Sequence, residues 1–294
     1  MHPAPSVIVF TSLSGLGFGI LAWLGLGIPD VAGRAAFAMY FLGYGLAVGG
    51  LIASTLHLGK PANARKAFSQ WRTSWLSREA VIAVMALLVV APFAIQRIFL
   101  TGEPPLWLGF AGSVLCLATV FATSMIYAQL RTVPRWNHPL TPVLFLGYSV
   151  AGGAVLSGQP GTGAVLLVFV GAVQIMAWSI GDKRFAASGS TLGTATGLGK
   201  TGVPRQLESP HSGTNYLLDE MGYRVGRKHA SKLRAIGALL GFALPVLIVI
   251  ATPPVPVWFA LAGLVHLAGV FAIRWLFFAE AEHVVSLYYG RTAA

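Results

Sequence analysis

A histidine and a glutamate mark the two ends of one polar stretch, S-T-L-H-L-G-K-P-A-N-A-R-K-A-F-S-Q-W-R-T-S-W-L-S-R-E, at positions 54–79. His57 closes a long apolar run, and Glu79 opens the next one. The chain has only 9 acidic residues among 294, so an acid and an imidazole at the mouths of one loop are the first place to seek proton chemistry. Imidazole changes charge near neutral pH, and an ionisable group at membrane depth is costly enough to suggest a function. Together the two can exchange the protons of a quinone/quinol couple: the imidazole hydrogen-bonds a ring carbonyl, and the carboxylate relays to water. Between them lie five basic residues and two tryptophans. Trp71 and Trp75 either stack on a bound ring or belong to an aromatic belt at the membrane surface.

The elements that carry this stretch must be membrane helices. Hydrophobic residues make up 55% of the chain and charged ones 10%, against roughly 25% charged in an ordinary soluble domain. Mean hydropathy is +0.72. A single all-α domain is expected, a bundle of eight transmembrane helices at 7–26, 35–58, 79–99, 106–130, 141–156, 162–180, 233–251 and 257–278. The S-G-Q-P-G turn separates the fifth and sixth, and T-P-P-V-P separates the last two. Thr141 followed by Pro142 reads as a helix cap, as does Ser77 before Glu79. The first helix is read as retained rather than as a cleaved signal. The longest connection, 181–232, is rich in Gly, Ser and Thr in its first half, which suggests a flexible loop, and 215–227 suggests a short surface helix. Gly197, Gly199 and Lys200 lack the rest of a phosphate-binding loop.

Net charge is +11, but the basic residues crowd into a few loops, which argues for membrane topology and against nucleic acid. With eight spans, one side collects eighteen of the twenty basic residues, Arg274 and Arg291 near the C-terminus among them, and the other side holds Arg34 and Arg97. The termini and large loops are therefore expected in the cytoplasm, in a bacterial inner membrane.

The single cysteine, Cys116, lies in an apolar run and reads as a small buried residue. One cysteine rules out an internal disulfide and a cysteine-ligated metal or iron–sulfur centre in this chain. His266 lies within the eighth helix. It reads as packed and bonded to a neighbouring helix, with a haem shared with His57 as the alternative. Transport of a small solute is the rival class, but the helix interiors read as almost free of charge, and the polar groups crowd one interface.

Four segments carry a family resemblance: M-H-P-A-P-S-V-I-V-F-T-S-L-S-G at the start, L-H-L-G-K-P-A-N-A-R-K-A-F-S-Q-W-R-T-S-W-L-S-R-E, R-W-N-H-P-L-T-P, and G-T-N-Y-L-L-D-E-M-G-Y. The chain resembles the DmsC-type anchor subunits of dimethyl sulfoxide reductase-like molybdoenzymes over nearly its whole length. Its N-terminus is similar to the SoeC-type anchors of cytoplasm-facing sulfite dehydrogenase complexes. The resemblance implies an anchor that binds ubiquinone or menaquinone and holds neither haem nor iron–sulfur clusters. A four-cluster iron–sulfur subunit docks on it directly, and a molybdenum bis-pterin guanine dinucleotide sits in a further, catalytic subunit. The family's quinone-site histidine and glutamate match His57 and Glu79. The quinone pocket is expected to include Lys60, Arg65, Trp71, Trp75, Ser77 and Arg78 as well. The partner is expected to dock on Arg72, Arg131, Arg135, Trp136 and His138. Arg224, Arg227 and Lys228 are expected to hold either its edge or anionic lipid. Sulfite oxidation on the partner would send electrons to the quinone here; an anchor of a dimethyl sulfoxide reductase would run them from menaquinol outward.

Overall fold

The computed structural model describes residues 2–56, 61–102, 104–205, 207–208 and 229–289, with backbone alone at 61–64 and 289. Among the described residues all regular structure is helical. Eight long helices account for most of it: α1 Pro5–Gly25, α2 Gly33–Thr55, α3 Trp75–Phe99, α4 Leu106–Ala128, α5 Leu140–Leu156, α6 Pro160–Ala187, α7 Ala230–Ala251 and α8 Pro256–Ala279. Seven are long and apolar enough to span a bilayer; α5 has 17 residues and is shorter. A 17-residue helix rises only about 26 Å.

The helices stack by sequence neighbours: α1 against α2, α3 against α4, α5 against α6, α7 against α8. α1 sits at the centre, packed also on α4, α5 and α8. In lipid there is no hydrophobic drive between helices, so close backbone approach must supply the attraction. It does so at α1–α5, where a Cβ on Gly153 would lie 2.5 Å from the carbonyl carbon of Gly19. The α7–α8 crossing is comparably close, since a Cβ on Gly269 would lie 2.0 Å from the Gly241 nitrogen.

Several boundaries differ from the expected ones. α3 begins at Trp75, with Ser74 at its N-cap, so Ser77 lies inside the first turn and is buried. Trp75 fits inside the helix because it packs edge-on against Phe121 of α4. α5 begins at Leu140, and the Thr141 hydroxyl donates to the Trp136 carbonyl instead of capping the helix, at 2.8 Å. α6 continues through the polar segment after Ile180 to Ala187 because Asp182 and Arg184 both find partners there. Within the expected flexible loop, a Thr191–Thr194 capping box starts a five-residue helix, Leu192–Thr196. The expected surface helix at 215–227 lies outside the described residues.

α7 is not uniform. Leu239–Ala243 forms a π-helical segment, in which the Leu244 N–H reaches back to the Leu239 carbonyl. Pro245 follows at once and has no N–H to offer Gly241, four residues earlier. In lipid a freed carbonyl must find another donor. His266 of α8 supplies it, its Nδ1 lying 2.6 Å from the Gly241 oxygen.

Candidate functional site

Glu79 occupies the fifth position of α3 and is 3% exposed. Its Oε1 lies 2.5 Å from the Thr123 hydroxyl on α4. The same hydroxyl lies 3.0 Å from the Thr119 carbonyl, one turn back on its own helix. A hydroxyl has one proton to donate and lone pairs to accept with. When Glu79 is ionised, Thr123 donates to it. When Glu79 is protonated, its O–H donates to Thr123, and Thr123 turns its own proton to Thr119. Both protonation states of the buried carboxyl are therefore satisfied by one neighbour, as proton exchange requires.

The segment leading into α3 is folded by Arg78. Its Nε donates to the Trp71 carbonyl at 3.0 Å and Nη2 to that of Arg72 at 2.7 Å, while the guanidinium lies 4.5 Å from the centre of the Trp75 ring. Trp71 stays half exposed with Arg72 beside it, and Arg65 is exposed. Trp71, Arg72, Trp75, Ser77, Arg78 and Glu79 thus gather at one end of α3. His57, Lys60, Arg224, Arg227 and Lys228 lie outside the described residues.

The expected docking residues divide. Arg131 is exposed. Trp136 is 2% exposed, which removes it from any docking surface of this chain. It stacks on Phe277 at 5.1 Å, meets Tyr127 edge-on, and donates Nε1 to the Phe277 carbonyl. A buried indole needs such a partner, and helix α8 offers one at its end. Arg135 also turns inward, to Asp182 at 2.6 Å and Glu280 at 3.3 Å. Arg234 contacts the same two acids at 2.6 and 2.7 Å. His138 accepts the Leu140 amide through Nδ1, and partial burial, then the nearby Arg184 charge, holds the imidazole below its usual range.

Sequence reasoning missed Thr123, the Arg135–Asp182–Arg234–Glu280 cluster and the place of Arg274. Arg274, counted as a charge flanking the membrane, is 3% exposed inside the bundle. Its guanidinium lies 3.4 Å from the Phe145 ring centre and 5.2 Å from that of Tyr148. An arginine amid F-A-I-R-W-L-F-F was the available signal. Cys116 is fully buried, and His266 bonds to a neighbouring helix. Among the described residues no group of three His, Cys, Asp or Glu is placed to hold a metal ion.

An all-helical bundle with seven candidate spans, and a buried carboxyl served by one hydroxyl at the end of the third helix, is the frame of a membrane anchor. The chain belongs to the DmsC family: the family described as DMSO reductase anchor subunit (DmsC) matches residues 3–172. Over all of both chains it is 32% identical, across 330 aligned positions, to a protein of Allochromatium vinosum that is named as one of the subunits of sulfite dehydrogenase.

Proposed function

We propose that this anchor exchanges electrons and protons between a quinone and an iron–sulfur subunit, and that the assembled complex oxidises sulfite to sulfate. The observation that carries the site is the Glu79–Thr123 pair, a buried carboxyl held ready in either protonation state. Likeness to the sulfite dehydrogenase subunit supports the substrate. A quinone, when bound, supplies a carrier of two electrons and two protons. Glu79 holds and delivers a proton at its Oε1 side, and His57, at the other mouth of the loop, hydrogen-bonds the ring. Trp75, Arg78 and Trp71 wall the head group, with Lys60, Arg65 and Ser77 around them.

The partner carries the four iron–sulfur clusters and seats on the same end of the bundle, over Arg72 and Arg131, with Arg224, Arg227 and Lys228 at its edge or on lipid. The molybdenum pterin belongs to a second partner. This end faces the cytoplasm of a bacterial inner membrane, following the excess of basic residues there. The family description supports a second reading, electron flow from quinol to a reducible substrate such as dimethyl sulfoxide.

The test uses the purified complex. Glu79→Gln and His57→Ala should each lower sulfite-to-quinone turnover about a hundredfold, the scale of lost acid–base catalysis. Sulfite oxidation with a soluble dye should be unchanged. Undiminished quinone turnover in both variants removes the site. Quinol-driven dimethyl sulfoxide reduction, with sulfite inert, selects the second reading.

A further inference from the structure

Among the described residues four buried side-chain atoms lack a hydrogen-bond partner: Ser12 Oγ, Gln159 Nε2, His266 Nε2 and Arg274 Nε. Three of these residues, Ser12 on α1 with His266 and Arg274 on α8, line one cavity, and each is at most 3% exposed. Thr123 lines the same cavity from α4. Its volume is about 10 Å³, the room that a single water needs. The Tyr148 carbonyl approaches His266 but not in hydrogen-bond geometry.

Arg274 decides how the cavity is read. The rings around it attract the guanidinium, most strongly where water is excluded. Burying a guanidinium costs more than such contacts return, so the rings alone do not offset it. Polar partners are required, and the orphaned atoms show where they stand. Phe145, Tyr148 and Arg274 also line a second cavity of about 60 Å³, which extends to Gln174, Arg135 and Glu280. Tyr148, which lines both, hydrogen-bonds Gln174 in the second. The polar groups thus form a series: Glu79, Thr123, the first cavity, Arg274 and Tyr148, the second cavity, and the ion-pair cluster around Glu280.

We propose that the first cavity holds water bonded to Ser12, His266 and Arg274, and that Glu79 regains its proton through it by way of Thr123. The proposal rests on the quinone reading above and supplies the protons that reading needs. Each proton that Glu79 gives to a quinone oxygen, with electrons from the partner's iron–sulfur cluster, is replaced by one from the Thr123 hydroxyl. Thr123 takes its replacement from the cavity water, and the water takes one from the aqueous side past Glu280. Only O–H bonds form and break, and one proton enters for each that leaves. Thr123 acts through Glu79 as the proton relay, and Arg274 is a positioning residue.

Two measurements on the purified complex test this. Thr123→Val, and Ser12→Val as a cavity-filling variant away from Glu79, should lower quinone-linked turnover about tenfold or more. The solvent isotope effect on that turnover should rise, dye-linked activity should hold, and Thr123→Ser should restore the rate. Wild-type turnover and isotope effect in both valine variants, while Glu79→Gln is inactive, overturn the relay and leave the quinone site standing. An active Glu79→Gln overturns the relay, and an active His57→Ala beside it removes the quinone site as well. A high-resolution map should place water within hydrogen-bond distance of Ser12 Oγ, His266 Nε2 and Arg274 Nε; a dry cavity overturns the proposal whether or not the variants assemble.

Discussion

Glu280 is the residue on which the ion-pair cluster turns. It is 5% exposed at its side chain and lies between Arg135 and Arg234, whereas Asp182, the other acid, is 46% exposed. Removing one partner of a buried pair costs about 3 kcal/mol or more, but a pair open to water is worth at most about 1 kcal/mol. Glu280→Ala should therefore lower the thermal unfolding midpoint in detergent clearly, and Asp182→Asn only slightly. Equal effects would show that the cluster is solvated throughout. At this scale the sequence was readable in part. Glu79 stood out because acids are few, but Thr123 did not: a threonine in an apolar helix has no distinguishing mark until the partner that faces it is known. Arg274 failed for another reason. Counting charges toward topology placed it at the membrane's edge, and the two nearest aromatic rings, Phe145 and Tyr148, come from α5, distant in sequence.

The π segment of α7 is the element whose sequence cause can be traced through to a contact. Pro245 removes a donor, the extra residue of the π turn shifts the ladder, and the freed Gly241 carbonyl is met by His266 across the crossing at Gly269. His266→Phe should leave that carbonyl without a donor and destabilise the protein by about 1–3 kcal/mol. Adding Pro245→Ala to that variant should recover part of the loss, because the new amide can serve Gly241; calorimetry of the single and double variants checks it. No recovery would mean that the two changes act independently. The eight helices were legible from apolar runs and turn residues. Their ends were not, because α3, α5 and α6 begin or end on tertiary partners: Phe121 for Trp75, the Trp136 carbonyl for Thr141, and the arginines for Asp182.

In the whole molecule the charges sort by side. At one end are the approaches to α3, the Arg131–His138 loop and the ion-pair cluster; at the other, Arg97 is neutralised by Asp30 at 2.6 Å. With Arg274 buried in the bundle the basic residues still divide seventeen to two, so the asymmetry read from sequence survives. A reporter fused after Ala294 should be active if it works only in the cytoplasm and silent if it needs export; the reverse pattern would invert the proposed orientation. The cluster around Glu280 has one more consequence, which concerns time. Glu280 follows the eighth helix, so it is synthesised after Arg135, Asp182 and Arg234. A nascent chain that has passed seven helices to the translocon has only Asp182, half in water, to hold both arginines. The loop before α5 and the ends of α6, α7 and α8 are thus locked by a residue that arrives only after the eighth helix has been made.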